Sequence, residues 1–489
     1  MTVGTNILCR PAMTCCLALL GACAALPPEQ APLAQRDARS AGIERDAAAP
    51  VGSWPQAQWW KRYGDAQLDA LIERALKDAP GMATATARFR AAESSTAAAR
   101  AQLGAKLDLD ASLTREKLSH FGLIPPPYGG KTINDAEATL GFAYDFDWWG
   151  KNRATLAAAI DEQRAAEADR AAAALLLASA VAQQYFNWQA LQTRCVLAQT
   201  ALDQRESLVR VLQARLQHGL ESSGTVDQAT SQRDSARQGM AALEMSRRLA
   251  LEQLRNLLGA APGTLAAIAP VPLPGDDVGV PAQLGLDLLA RRADVEASRL
   301  RVEAQVRRID AAKAQFYPDI NISAFLGLST VERSKLLNKD SLTAGVAPAL
   351  HLPIFDAGRL RANLGVNRAN LDVAIASYNQ TVVDAAGDVA VQASSLAGIA
   401  AQHQAAEASL RSDEAVKANV QARIRQGLAD ARDAINAQLQ VVAQQDSLAQ
   451  LDAQRLDTQV ALIKALGGGY QTGPHQVREP RDDTTPTSP

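Results

Sequence analysis

This 489-residue chain has few residues at the spacings typical of catalysis or metal binding. Those residues do not form the pattern of an enzyme active site. The five histidines are scattered, at His120, His218, His351, His403 and His475. The sequence contains no phosphate-binding loop, nucleophile elbow or group of metal ligands at characteristic spacing. Most acidic residues follow the spacing of a helix surface. We therefore expect no catalysis, no cofactor and no bound metal.

One cysteine has the surroundings of a modification site. Arg10 and a short apolar stretch, residues 15–20, precede Leu20-Gly21-Ala22-Cys23. The apolar stretch is too short for a membrane-spanning helix, so residues 1–22 read as a signal peptide. Leu-Gly-Ala-Cys resembles the bacterial lipobox, in which the cysteine becomes the acylated first residue of the mature protein. We expect Cys23 to carry lipid; the alternative is an ordinary cleaved signal with an incidental cysteine.

Four carboxylates lie beside two glycine turns, at residues 219–227 and 427–433. They are Glu221 and Asp227 in the first turn, and Asp430 and Asp433 in the second. A carboxylate repeated around a symmetry axis would favour cations and repel its own copies, unless bases or hydrogen bonds offset the charge. Arg425 and Arg432 are candidate bases. The alternative is an ordinary solvated surface.

These turns belong to a unit that occurs twice in the chain. The same offset of 208 residues separates Gly150 from Gly358, Gly219 from Gly427, and Gly259 from Gly467. Each unit has the order helix, strand, loop, strand, very long helix, tight turn, helix. We expect a lipidated N-terminal segment over residues 23–64, repeats over 65–270 and 271–470, and a disordered tail over 471–489.

The helices that must position the turns are unusually long. Residues 151–217 and 359–426 contain no proline, and at about 1.5 Å per residue each would span roughly 100 Å. A heptad-like stripe predicts close helix packing. It comprises Cys195, Ala198, Leu202, Val209, Leu212 and Leu216. Gly219 and Gly427 follow as left-handed helix caps, and we expect the lone thiol of Cys195 to pack in a core.

Four short segments alternate apolar and polar residues with the period of a strand. Their apolar positions are Leu107, Leu109, Ala111 and Leu113; Ala138, Leu140, Phe142, Tyr144 and Phe146; Ile320, Ile322, Ala324, Leu326 and Leu328; and Leu342, Ala344, Val346, Pro348, Leu350 and Leu352. Each segment approximates the length of a tilted strand that crosses a bilayer. The pattern is typical of an outer-membrane barrel with a wet lumen; the alternative is a soluble sandwich.

Four strands cannot close a barrel, and open sheet edges are not tolerated in lipid. Several chains must therefore contribute strands to one barrel. Twelve strands from three chains is the simplest closure that leaves a pore wider than that of an eight-stranded barrel. We expect a homotrimer.

Five motifs carry a resemblance to the TolC-like outer-membrane efflux family, and in particular to its NodT-like lipoprotein branch. They are Trp59-Trp60-Lys61-Arg62-Tyr63-Gly64-Asp65-Ala66-Gln67-Leu68, Tyr144-Asp145-Phe146-Asp147-Trp148-Trp149-Gly150, Asp287-Leu288-Leu289-Ala290-Arg291-Arg292-Ala293-Asp294, Phe316-Tyr317-Pro318 and Pro353-Ile354-Phe355-Asp356-Ala357-Gly358. The resemblance spans residues 54–470. Ala293 stands where the family usually has proline, which concerns the start of a helix.

The resemblance implies a mixed, mainly α-helical fold: a trimeric twelve-strand transmembrane barrel continued by a long periplasmic α-helical barrel. It implies an outer-membrane channel that passes small toxic compounds or drugs, with a periplasmic adaptor and an inner-membrane pump as partners. The pump would supply the energy. Asp433, and then Asp430, best match the family's aperture positions. Gly219, Leu220, Gly427 and Leu428 match its adaptor-contact motif.

Other interpretations remain open from the sequence alone. A periplasmic adaptor lipoprotein should have one helical hairpin rather than two, and a structural coiled coil should lack the four strands. The formal charge of −2 gives no basic surface for nucleic acid. Trp148 and Trp149 are candidates for an interfacial belt or for packing below the strands. Aromatic acids such as fusaric acid are one substrate class that the resemblance suggests.

Overall fold

The structure is a computed structural model that describes residues 26–36, 51–265, 268–275, 279–281, 288 and 290–471. The signal peptide, Cys23 and the tail after Gln471 therefore lie outside the described residues. The described chain forms two compact units. Unit 1 comprises the chain up to Gln35 with Phe89–Ala166 and Ser298–Tyr378, and unit 2 comprises Arg36–Arg88, Glu167–Ala297 and the chain from Asn379 onward.

Seven α-helices account for most of the described residues. They are α1 (Ala66–Asp78), α2 (Pro80–Ala101), α3 (Lys151–Gln217), α4 (Ser223–Leu257), α5 (Ala293–Ala314), α6 (Arg359–Arg425) and α7 (Ala431–Ala465). The helix that opens the first unit is broken at Ala79, whose ψ of 136° is extended, so that α1 and α2 are separate helices. The cause is Pro80, which disfavours helical backbone in the residue before it.

The order of elements repeats with equal lengths. Both α3 and α6 have 67 residues, and both α4 and α7 have 35. Each pair of helices begins 208 residues apart, which is the offset of the glycines in the sequence. The two long helices thus begin and end at equivalent positions of the two units. Among the described residues, no helix has both the length and the apolar character needed to cross a bilayer.

Four strands form an antiparallel sheet within unit 1. They are β2 (Lys106–Lys117), β3 (Thr132–Asp145), β5 (Asp319–Thr330) and β6 (Leu342–His351), in the order β2-β3-β5-β6. Two further strands, β1 (Val51–Gly52) and β4 (Val280–Pro281), form a short parallel pair in unit 2. The sheet's outer edges, on β2 and β6, pair with no other described strand.

The register confirms the predicted alternation, because apolar residues of all four strands share one face. One row across the sheet runs Leu109, Leu140, Leu326 and Ala344, and the next runs Leu107, Phe142, Ala324 and Val346. Leu109 is 72% exposed and Val346 68% exposed. The row between them on the opposite face is Asp108, Gly141, Phe325 and Gly345. A sheet that leaves so many leucines uncovered requires an apolar surrounding on that face.

The strand-to-helix junctions place the two tryptophans differently. The ring of Trp149 stacks on Tyr317 with 4.5 Å between centroids, and its Nε1 donates to the carbonyl of Pro318 at 2.8 Å. Trp148 is 66% exposed and makes an edge contact with the ring of Phe146. Trp149 therefore packs at the junction, whereas Trp148 remains available as an interfacial residue.

Unit 2 contains a hydrophobic core built on Trp59, Trp60 and Tyr63 of the first family-like motif, all buried. The motif's Asp65 caps α1 and accepts a 2.5 Å hydrogen bond from the hydroxyl of Tyr185. Burial, with Asp65 as the next cause, raises the pKa of Tyr185. The phenol thus stays protonated as a donor that fixes α1 against α3.

The predicted stripe on α3 is largely confirmed. Cys195, Leu202, Val209 and Leu212 are all buried, and burial raises the pKa of the Cys195 thiol. The stripe fails at its end, where Leu216 is 37% exposed. Leu216 is the penultimate residue of α3. As expected, Ala293 begins a helix.

Candidate functional site

The candidate site consists of the two helix turns, residues 218–222 between α3 and α4 and residues 426–430 between α6 and α7. We call them the turn pair. Each turn has five residues, so the helices that follow begin earlier than the sequence-based bounds of 219–227 and 427–433 suggested. Both turns belong to unit 2.

The first turn ends α3 with a left-handed glycine. Gly219 has a φ of 70°, and its N–H donates to the carbonyl of Leu216 at 2.9 Å. The N–H of Leu220 reaches back to the carbonyl of Arg215 at 2.9 Å. This pair of bonds satisfies carbonyls that the end of a helix would otherwise leave free. Ser222 then begins α4, because its side chain accepts from the N–H of Thr225 at 3.2 Å.

The second turn repeats that geometry residue for residue. Gly427 has a φ of 73° and donates to Ile424 at 2.9 Å, while Leu428 donates to Arg423 at 2.8 Å. The leucine that follows each glycine is exposed, Leu220 by 65% and Leu428 by 63%. Each turn therefore presents one apolar side chain on an otherwise polar surface.

Asp430 and Asp433 cap α7 together. The carboxylate of Asp430 accepts from the N–H groups of Arg432 at 2.9 Å and Asp433 at 3.1 Å. In return the carboxylate of Asp433 accepts from the N–H of Asp430 at 3.2 Å. This reciprocal arrangement is a capping box, so both carboxylates have a structural role besides any electrostatic one.

Two arginines tie the turns to each other. Arg215, at the end of α3, lies between Glu221 of its own turn and Asp430 of the other, with Nε–Oε2 and Nη1–Oδ2 distances of 3.7 and 3.3 Å. Arg432 approaches the same Glu221 oxygen at 3.8 Å. The chain Asp430–Arg215–Glu221–Arg432 alternates in charge, and the side chain of Glu221 is only 15% exposed. We call these four residues the tie.

Apolar packing supports the tie from below. Leu208, Val209 and Leu212 of α3 form a small core with Val226 and Ala229 of α4. Ile435, in the second turn of α7, packs against this cluster. The ends of three helices are therefore held in one cluster, which keeps the arginines and carboxylates of the tie at their observed distances.

The structure separates the four predicted carboxylates into two kinds. Glu221 and Asp430 belong to the tie, whereas Asp227 and Asp433 form no ion pair among the described residues. Asp227 is exposed and lies beyond the first turn of α4. Of the two bases that the sequence suggested, Arg432 takes part, whereas Arg425 has no ion pair within the described chain. Arg215, four residues before the capping glycine, was missed.

A second charged cluster in unit 2 surrounds a motif residue. The buried Arg292 forms ion pairs with Asp294 at 2.7 Å and Asp388 at 3.3 Å, and donates to the carbonyl of Ala465 at 3.1 Å. Burial alone would raise the pKa of Asp294, but the Arg292 guanidinium outweighs it and lowers that pKa below its usual value. These contacts fasten the start of α5 to α6 and to the end of α7.

Comparison with known proteins shows which family this chain resembles. The family model described as outer membrane efflux protein matches residues 71–260 and again residues 284–468. The chain belongs to the outer membrane efflux protein family. Membership confirms the expected class of function, an efflux channel, and the outer-membrane location.

Named relatives agree with the family. The chain is 35% identical over 466 residues to the multidrug resistance outer membrane protein MdtP of Shigella flexneri, covering 93% of this chain and 95% of that protein. It is 33% identical over 474 residues to the multidrug resistance outer membrane protein MdtQ of Escherichia coli, covering 94% and 98%. These near-complete alignments show that the likeness concerns the whole protein and not one motif.

Solved structures show the same fold. The outer membrane protein VceC from Vibrio cholerae is 34% identical and superposes with a TM-score of 0.76 over 86% of this chain and all of that one. The outer membrane channel CmeC of Campylobacter jejuni, at 21% identity, has a TM-score of 0.81 over 91% and 94% of the two chains. The mainly helical fold with a four-stranded sheet is thus that of known outer-membrane channels.

Proposed function

We propose that this protein is the outer-membrane channel of a tripartite efflux system, in which a periplasmic adaptor and an inner-membrane pump deliver small toxic compounds or drugs for release outside. The sheet with one exposed apolar face and two open edges, joined to two pairs of long helices, carries the proposal. The relatives named for multidrug resistance support the class of cargo. Aromatic acids such as fusaric acid belong to that class.

Closure of the barrel requires more than one chain. A lipid-exposed strand edge leaves backbone N–H and C=O groups without partners, and each such group costs several kcal/mol in hydrocarbon. The free edges are β2 and β6, so β6 of one chain can pair with β2 of the next. Three chains then give twelve strands and a homotrimer. The long helices would continue this barrel into the periplasm.

The lipid anchor is part of the proposal. Acylated Cys23 would tether each chain to the periplasmic leaflet once residues 1–22 are removed. Residues 23–64 would form the lipidated segment, 65–270 and 271–470 the two repeats, and 471–489 a disordered tail. The pump, and not this chain, would supply the energy for transport.

The turn pair would form the periplasmic aperture. Three-fold symmetry would repeat Glu221, Asp227, Asp430 and Asp433 around the axis. Because the tie balances Glu221 and Asp430 with two arginines, Asp227 and Asp433 would supply the uncompensated charge that favours cations. The tie would also hold the two turns of each chain together and so oppose widening of the aperture. The backbone at Gly219 and Gly427, with the exposed Leu220 and Leu428 beside it, would offer the adaptor a shallow apolar contact.

The first experiment is the mass of the native complex, extracted from purified outer membranes in mild detergent. Three chains per complex are expected. A monomer, or recovery only from the soluble periplasm, would contradict the shared barrel and favour a periplasmic adaptor lipoprotein or a structural coiled coil instead.

The aperture is tested by conductance in planar bilayers. Arg215→Gln removes the central charge of the tie, and we expect a larger single-channel conductance because the two turns lose one of the two arginines that join them. Arg425→Gln is the matched control, since Arg425 is exposed on the next long helix and lies outside the tie. Equal conductance of the two variants would show that the tie does not restrain the aperture.

A further inference from the structure

An extended segment near the N-terminus lies along α6. The N–H of Leu33 donates to Oδ1 of Asp372 at 3.0 Å, and the N–H of Arg36 donates to Oδ1 of Asn379 at 2.7 Å. Both acceptors are side chains of α6, and both donors are main-chain groups. We call residues 26–36 the strap. The strap donates both hydrogen bonds from its main chain. These two contacts therefore depend on the path of its backbone and not on the identity of its side chains.

The spacing of the two bonds shows that strap and helix run side by side in register. Asp372 and Asn379 are seven residues apart, two helical turns, which places them on one face about 10 Å apart along the axis. Leu33 and Arg36 are three residues apart, and three extended residues also cover about 10 Å. A chain that crossed the helix at an angle would not bring both amides to both acceptors.

A third contact fixes the direction of the strap within unit 1. Glu29 forms an ion pair of 2.9 Å with Lys313, the penultimate residue of α5, shortly before β5 begins. The hydrogen bond and the charge of Lys313 lower the pKa of Glu29, with a smaller contribution from the charge of Arg368. Because Asp372 lies 13 residues into α6, the strap approaches the sheet as its residue numbers fall.

We propose that Asp372 and Asn379 are docking residues for the strap, and that the docked strap holds the lipid-bearing Cys23 within about 20 Å of the sheet-proximal end of α5. The limit follows from the six residues that separate Cys23 from Glu29. This inference rests on the proposed lipid anchor. It gives α6 a role in docking the strap, which is separate from formation of the barrel and from the contacts of the turn pair.

Docking changes how well the anchor is positioned. Without the strap, the first paired residue after Cys23 in the described part of the chain is Val51 in β1, 28 residues away. The effective concentration of a tethered group falls roughly as the −3/2 power of tether length, so a six-residue tether gives about a ten-fold higher local concentration than a 28-residue one. The surface ion pair of Glu29 contributes little by itself, so we expect the two hydrogen bonds from the main chain of the strap to contribute more to docking than the ion pair does.

Hydrogen exchange on the full-length protein, purified from outer membranes in detergent, tests the docking. The amides of Leu33 and Arg36 should exchange at least ten-fold faster in Asp372→Ala/Asn379→Ala than in the unaltered protein. Asn379→Asp keeps the acceptor and should retain protection. Asp384→Ala is the matched control, since Asp384 lies on α6 and, among the described residues, accepts from Gln380 at 2.8 Å and not from the strap. Unprotected amides in the unaltered protein would show that the strap is not docked.

Assembly tests the positioning role separately. The mass of the N-terminal peptide reports acylation of Cys23, and native electrophoresis of outer membranes reports the assembled fraction. With Cys23 acylated, we expect the double variant to assemble several-fold less than the Asp384→Ala control. Equal assembly would overturn the positioning role. An unacylated Cys23 in the unaltered protein would contradict the anchor, and the positioning role with it, while protected amides would still show a docked strap.

Discussion

At the scale of single residues, Asp430 combines two functions that substitutions can separate. Its carboxylate caps α7 and also pairs with Arg215. Asp430→Ala removes both, and loss of the cap should destabilise the protein by about 1 kcal/mol. Asp430→Asn keeps a capping side chain but loses the charge, so its stability should stay close to that of the unaltered protein.

Thermal loss of the helical circular dichroism signal, measured beside single-channel conductance, distinguishes the two functions. We expect both variants to raise conductance, and only Asp430→Ala to lower the unfolding temperature clearly. If Asp430→Asn left conductance unchanged, the charge of Asp430 would be irrelevant to the aperture and its role would be the cap alone.

Arg292 gives a prediction for the pH dependence of stability. Arg292→Ala leaves Asp294 and Asp388 without their buried partner, and because those carboxylates are half-exposed we expect a loss of about 2 kcal/mol at pH 7. The lowered pKa of Asp294 means that its stabilisation is complete above the ordinary carboxyl range, near pH 4, and disappears as the pH falls below that range through the lowered value.

Unfolding temperatures at pH 7 and pH 3 check this sign. The unaltered protein should lose more stability between the two pH values than Arg292→Ala does. Arg291→Ala is the control: the neighbouring Arg291 lies over the ring of Trp54, so its removal should leave the acid sensitivity intact. An unchanged difference in Arg292→Ala would exclude this cluster as a source of acid sensitivity.

At the scale of elements, the turn glycines are needed for their backbone conformation and not for space. No atom lies within 4 Å of a Cβ added at Gly219 or Gly427, yet both have positive φ. Gly219→Ala and Gly427→Ala should therefore each destabilise by about 1 kcal/mol. Gly387 and Gly398, inside α6 with equally open surroundings, are matched controls, and alanine there should stabilise by about 0.5–1 kcal/mol. Chemical unfolding of all four variants compares the signs; four effects of one sign would exclude the conformational explanation.

The helices and strands also show which features of the fold can be predicted from the sequence. The 208-residue offset and the alternation of the strands predicted helix lengths, sheet face and turn positions, because each depends on a local period. Three of the four residues of the tie were predicted. Glu221, Asp430 and Arg432 are conspicuous beside the glycines, but Arg215 is one of many arginines on a long helix. Its partnership with Asp430, 215 residues away, depends on how two hairpins pack. The strap was missed for the same reason.

At the scale of the whole molecule, we expect the two faces of the sheet to differ in how well they tolerate a charged side chain. Leu326 lies in the apolar row of β5 and is 53% exposed, whereas Ser329 on the same strand lies opposite Glu137 on the polar face. If the apolar face meets lipid, Leu326→Lys places a charge in hydrocarbon, at a cost of about 2–4 kcal/mol near the bilayer midplane. Ser329→Lys would place the same charge in a wet lumen, beside a carboxylate.

Because three chains share one barrel in the proposed assembly, the cost at Leu326 would be incurred three times in each complex. We therefore expect Leu326→Lys to reduce the amount of trimer in outer membranes severely and Ser329→Lys to leave it nearly unchanged, as measured by native electrophoresis of membranes that contain equal amounts of chain. If the exposed apolar face met water instead of lipid, the two lysines would be tolerated alike. The contrast between two positions on one strand thus tests the spanning barrel independently of the number of chains, and the native mass then tests that number.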